Sequence, residues 1–316
     1  MRRLLIAVFA LFATFADARG AELNRILVGF PPGQATDLIA RLLADKLSPM
    51  LGETVIVDNR PGQGGSMALA ALKASPPDGH TMVLAPLASL VVNPHLYKTV
   101  GYDSLKDFAP VALIGDLPMV MVVNPSLPIH NVAELVAFAK ANPDRLSHPS
   151  SGNGTLSHLG MELFKHQAGI TILHVPYRGS PPAMTDLMSG VVSVAMDTVT
   201  VTEPFIRSGK MRLIASAYGK RVPSFPDTPT LIEQGYPGID LAAWLSIVVP
   251  KGTPKDRVEK LGAAFNKIVE TPEVSQRFAQ LGTIPHPLDP AAFAAYLAKE
   301  DARWAEVVKT SHTTVD

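Results

Sequence analysis

"SHPSSGNGTLSHLGMELFK", residues 147–165, contains the junction on which the fold turns. A short extended stretch runs into Ser151, Gly152, Asn153, Gly154 and Thr155. Apolar residues then return at Leu156, Leu159, Leu163 and Phe164, a spacing that predicts an amphipathic helix. The first amides of a helix have no acceptor within it, and together they carry a partial positive charge. Glycine lets the backbone come close to a guest, so a helix that opens this way is a ready anion site. A cap needs one side-chain oxygen, and this stretch offers several. His158 falls in the first turn of the same helix and joins the candidates.

The junction recurs twice. "RILVGF" (25–30) runs into "PPGQATDLIARLLADKL" (31–47), and "TILHVPY" (171–177) runs into "RGSPPAMTDLMSG" (178–190). Each time an extended run meets Gly with Ser or Thr, and an amphipathic helix follows. Open α/β sheets bind ligands where strands deliver such loops. One residue is discordant. Asp37 sits in the first turn of the first helix, where it suits the dipole but repels a bound anion unless it points away.

Short runs rich in Val, Ile and Leu alternate with helical patterns from residue 25 to 250. The runs include 54–58, 81–85, 111–115, 119–124, 191–197, 212–217 and 245–249. They are mostly apolar at successive positions, as in strands covered on both faces. Helical patterns fall at 37–47, 65–74, 131–141, 155–168, 181–189 and 199–208. This alternation predicts an α/β fold with largely parallel sheets. At 316 residues the chain suits two domains. After residue 250 the strand pattern stops and three helices are expected.

The N-terminus, "MRRLLIAVFALFATFADARGAE", has two arginines, a short apolar run and Ala16-Asp17-Ala18. This predicts a secretory signal peptide over residues 1–21, with a cut after Ala18. Cutting there leaves the charge near neutral, and no later segment is apolar enough to cross a membrane.

Several chemistries are excluded. Lys plus Arg equals Asp plus Glu at 28 each, which gives no basis for nucleic-acid binding. With no cysteine there is no thiol nucleophile, disulfide or cysteine metal site. "RPGQGGSMALA" (60–70) has Met67 where a dinucleotide fingerprint needs its third glycine, and no P-loop Lys-Ser/Thr follows. There is no Gly-x-Ser-x-Gly and no His-Glu-x-x-His; His158, His166 and His174 are eight apart. An enzyme is not expected, nor a cofactor or a metal.

Six motifs read together. "FPPGQATDLIARLLADKL" (30–47), "VDNRPGQGGSMALAALKASPPDGHT" (57–81), "NPHLYKTVGYDSLKDFAPVALIG" (93–115), "SSGNGTLSHLGMELFK" (150–165), "HVPYRGSPPAMTDLMSGVVSVAMD" (174–197) and "DTPTLIEQGYPG" (227–238) resemble, in order and spacing, the Bug-type extracytoplasmic solute receptors of tripartite tricarboxylate transporters. The resemblance covers about residues 23–310. It implies a two-lobed periplasmic-binding-protein (Venus-flytrap) architecture, each lobe a mainly parallel sheet flanked by helices. Lobe 1 would be 23–118 plus 246–316, and lobe 2 would be 119–245. It further implies that two loops grip a small-molecule carboxylate in the cleft, and that membrane subunits of a tripartite tricarboxylate-type transporter are the partners.

On that reading the ligand-binding candidates are Pro32, Gly33, Gln34, Ala35, Thr36 and Asp37 in the first loop. Ser151, Gly152, Asn153, Gly154, Thr155 and His158 come from the second. Leu87, Tyr177 and Asp197 complete the set. Asp197 could meet an amino group or polar tail of the ligand, or simply cap the helix that follows. Two departures from the family pattern stand out. Gln34 replaces the usual second glycine, and Leu87 makes its wall more apolar. A monomer is expected. A sensory receptor using the same cleft is the alternative role.

Overall fold

The structure, a computed structural model, describes residues 23–311. The expected leader at 1–21 lies outside the described residues. The chain opens with β1 (Leu23–Val28), α1 (Ala35–Leu51) and β2 (Thr54–Asn59). β1 and β2 are parallel neighbours, so this is a strand–helix–strand unit. Its helix ends where Gly52 turns left-handed, at φ +70°, a conformation glycine adopts without a Cβ penalty. α2 (Ser66–Lys73), β3 (Thr81–Pro86), α3 (Asn93–Leu96) and β4 (Phe108–Asp116) follow.

The chain then passes into a second body. It comprises β5 (Met119–Val123), α4 (Val132–Ala141), β6 (Ser147–Ser150), α5 (Leu156–Ala168), β7 (Leu173–Pro176), α6 (Ser180–Ser189), β8 (Val194–Thr198), α7 (Val199–Arg207) and β9 (Arg212–Ser216). It returns with β10 (Leu245–Pro250), α8 (Lys255–Val269), α9 (Pro272–Gln280), β11 (Ile284–Leu288) and α10 (Pro290–Ser311). The larger sheet has the order β11-β4-β10-β3-β1-β2; the smaller body has β8-β5-β9 and the pair β6-β7.

The sheets are mixed, where the sequence suggested mainly parallel ones. β2, β1 and β3 are parallel, but β10 runs antiparallel between β3 and β4. The cause is connectivity. β10 re-enters the larger sheet from the smaller body, so its direction is set by that return and not by a local crossover helix. Its six residues are all buried, which explains why "LSIVVP" reads as continuously apolar.

β11 corrects the expectation of helices alone after residue 250. Its sequence, Ile-Pro-His-Pro-Leu, conceals it, because proline cannot donate to a ladder. Pro285 and Pro287 are tolerated because β11 is an edge strand, paired only with β4.

Two adjacent segments join the bodies. Pro118 and Ala242 form an antiparallel bridge, the Ala243 N–H donates to the Leu117 carbonyl at 3.0 Å, and the Met119 N–H donates to Leu241 at 3.1 Å. α10 packs over this crossing. The indole N–H groups of Trp244 and Trp304 both donate to the buried Glu300 carboxylate, at 3.2 and 3.3 Å. The crossing is therefore braced by side chains as well as by backbone bonds. Among the described residues, no helix is long and apolar enough to cross a membrane.

Candidate functional site

The first loop owes its shape to Asp37. Its carboxylate is buried and accepts the Gly33 N–H at 2.9 Å, the Asn59 amide at 3.0 Å and two Arg41 bonds at 3.1 and 2.9 Å. Burial alone would raise its pKa, but Arg41, Gly33 and Asn59 outweigh it and the net shift is down. Asn59 also donates to the Phe30 carbonyl, which ties β2 to the loop. So Asp37 is consumed in holding the turn, and Gly33 takes φ +84° there. This resolves the discordant charge, because the carboxylate faces the loop's own backbone.

The second loop is held by hydroxyls and a histidine. Ser157 Oγ accepts the Ser151 N–H at 2.9 Å, and Thr155 Oγ1 donates to the Gly152 carbonyl at 2.7 Å. His158 Nδ1 accepts the Gly154 N–H at 3.2 Å, which fixes its other ring nitrogen as the protonated one. His158 stacks on His174 with centroids 4.0 Å apart, and His174 stacks on His148 at 4.9 Å. Burial lowers all three, His158 to about 4 and His174 to about 3. Burial alone would raise Glu162, but bonds from His148 and Lys165 hold it at about 2. The lowered pKa values favour neutral rings, and His158 ties the stack to the glycine loop.

These two loops face one another across an inner cavity of about 60 Å3. Gln34, Ala35 and Thr36 from the start of α1 line it, together with Ser151, Thr155, Leu156 and Ser157 at the start of α5. Neither helix has a side-chain cap from its N-cap residue, Gln34 or Thr155. The same is true of α2, α6, α7 and α8, while α4 and α9 are capped by Asn131 and Thr271. Four further lining residues, Leu117, Met119, Val201 and Leu245, make an apolar wall. The arrangement suits a carboxylate at the helix mouths with a small tail against the wall.

An outer cleft of about 580 Å3 adjoins it, sharing Phe30 and Ser151. It is lined by the Gly62–Gly65 turn, Tyr97, Gly152, Asn153, Tyr177 and the exposed Arg178. Tyr97 of the larger body donates to the Asn153 carbonyl of the smaller one at 2.8 Å, so the cleft is closed along that seam. Tyr177 is braced by its bond to Asp186 at 2.6 Å, and burial first, then Asp186, raises its pKa to about 12.

The sequence candidates therefore divide. Gln34, Ala35, Thr36, Ser151, Thr155 and Asp197 line the inner cavity; Gly152, Asn153 and Tyr177 line the outer cleft. Pro32, Gly33, Asp37, Gly154 and His158 line neither, and the last four shape the loops. Leu87 lies on a separate cavity near Trp244 and Glu300. Sequence reading missed Ser180 and Thr198, although the "RGSPP" junction marked the helix that Ser180 opens. It also missed Leu117, Met119 and Leu245, which sit on the crossing segments and carry no local signal.

The family model described as "Tripartite tricarboxylate transporter family receptor" matches residues 39–312. The chain belongs to the tripartite tricarboxylate transporter receptor family. The receptor is 35% identical to protein BugT of Bordetella pertussis, over 98% of this chain and 97% of that protein. It superimposes on R. palustris Rpa4515 with adipate at a TM-score of 0.88 and 33% identity, covering 92% of this chain and 97% of that one. MatC from Rhodopseudomonas palustris with bound malate gives 0.85 and 30%, covering 90% and 98%. The two-lobed periplasmic-binding-protein fold is thereby established for the receptor, and its family binds solutes rather than transforming them.

Proposed function

We propose that this receptor captures a small carboxylate between its lobes in the periplasm and hands it to the membrane subunits of a tripartite tricarboxylate-type transporter. The observation that carries this is the pairing of α1 and α5, whose uncapped N-termini come from different lobes and face one cavity. The lobes run over 23–118 plus 246–316 and over 119–245, with residues 1–21 as the export leader. Gln34, Ala35, Thr36, Ser151 and Thr155 hold the ligand, with Asp197 in the same cavity. Charge-assisted hydrogen bonds contribute about 1.5–3 kcal/mol each. Four of them, less the cost of ordering, reach the roughly 8 kcal/mol of micromolar binding.

Thermal unfolding of refolded, ligand-free receptor tests this. A bound carboxylate at a hundred times its Kd stabilises by about 2.7 kcal/mol, a rise of several degrees. Its amide analogue should give no shift. A panel in which neutral compounds shift the midpoint and carboxylates do not would remove the anion site from the account.

A further inference from the structure

Four helix starts meet at the inner cavity. α1 and α5 open on it with no side-chain cap. α6 and α7 open on it as well, beside Asp197. Ser180 Oγ and the Thr198 N–H each bond the Asp197 carboxylate at 2.7 Å. Asp197 thus sets a carboxylate of the protein's own among these helix starts. Asp197 is only 4% exposed, and no Lys, Arg or His among the described residues lines the cavity.

Gln34 is a second, independent observation. Its side chain is 95% buried and lines the cavity, and its Nε2 has no hydrogen-bond partner. The amide lies against Gly179 of the opposite lobe, where an added Cβ would collide with it. A buried donor without an acceptor is costly and is satisfied when a ligand supplies an oxygen. Gln34 also occupies space, consistent with a cavity of only about 60 Å3.

We propose that the cavity takes a short ligand with one carboxylate, that Gln34 donates to an oxygen of that ligand, and that Asp197 rejects ligands carrying a second carboxylate. This rests on the carboxylate reading above and narrows it. A second carboxylate in so small a cavity would meet Asp197 or the apolar wall, with no cation to offset either. At the effective dielectric of a protein site, two carboxylates about 5 Å apart repel by roughly a few hundredfold in Kd. The receptor would then differ in ligand class from the relatives described with adipate and with malate.

Calorimetric titration at pH 7.5 with matched pairs tests this: butanoate against succinate, and hexanoate against adipate. The wild-type receptor should bind the monocarboxylate of a pair at least about tenfold more tightly. In D197N, which keeps an acceptor oxygen for Thr198, the gap should shrink. In Q34A both members of a pair should weaken together. Dicarboxylates binding as tightly as their partners in the wild type would overturn the inference while leaving the carboxylate reading intact. So would a dicarboxylate whose affinity depends on Arg178, since its second carboxylate would sit in the outer cleft. A folded D197N with an unchanged gap would remove Asp197 from the explanation. The wild-type comparison decides the main point whether or not the variant folds. If neither series binds, the carboxylate reading itself fails, and this inference with it.

Discussion

Replacing Gly154 by alanine separates the cost of folding from the cost of closing. Gly154 has φ +78°, where an L side chain costs about 1–2 kcal/mol. That cost is present whether the cleft is open or shut, so the ligand-free midpoint should fall by a few degrees. A Cβ there would also stand 2.7 Å from Leu96 Cδ2, 2.9 Å from Asn93 Oδ1 and 3.3 Å from the Tyr97 ring. All three belong to the larger lobe, so this second cost arises only when the lobes meet. Overpacking of this kind costs about 1–3 kcal/mol, which weakens ligand binding by roughly 5- to 150-fold. Thermal unfolding of the empty receptor reads the first effect, and calorimetric titration reads the second. A Gly154→Ala receptor with a lowered midpoint and a Kd within twofold of wild type would refute the argument. It would mean that the seam around Asn153 and Gly154 is not formed in the bound state.

Other expectations follow from the same geometry. Tyr97→Phe removes the hydroxyl bond to the Asn153 carbonyl and should weaken binding by about 2- to 10-fold, with little change in the empty receptor's midpoint. Asp37→Ala strips the Gly33 amide and Arg41 of their shared acceptor and should cost about 2–3 kcal/mol by denaturant unfolding. Acid should destabilise the fold through the histidine stack. The folded pKa values of His158, about 4, and His174, about 3, lie below the ordinary 6.5. Their contribution is complete above about pH 6.5 and is lost as pH falls, roughly 3 kcal/mol for His158 alone. Asp197, raised to about 6 by burial, acts oppositely and returns some stability on protonation, so the net fall is shallower than the histidines alone would give. A thermal midpoint that stays level between pH 7.5 and 4.5 would contradict the neutral stack.

Helix mouths are local, so the two loop segments were legible as candidates: "GQATD" and "SGNGT" both reach the same cavity. The meaning of Asp37 was not legible, because Asn59 comes from a different strand and only the fold brings it near. The apolar wall was hidden for the same reason: Leu117, Met119 and Leu245 meet where the chain crosses between lobes. Strand direction also escaped the sequence. Apolar runs show burial but not polarity, and β10 is antiparallel because of the route the chain takes. β11 was masked by its two prolines, which only an edge position permits. Asp197 was placed between ligand contact and helix cap, and in the structure one carboxylate bonds Ser180 and Thr198 while lining the cavity.

The central claim is that a carboxylate sits between the mouths of α1 and α5. A crystal structure of the receptor with butanoate or hexanoate tests it most directly. The account predicts carboxylate oxygens within hydrogen-bond reach of the first-turn amides of both helices, with the tail against Leu117, Met119 and Val201. A ligand lying in the outer cleft against Arg178, with only water in the inner cavity, would contradict it.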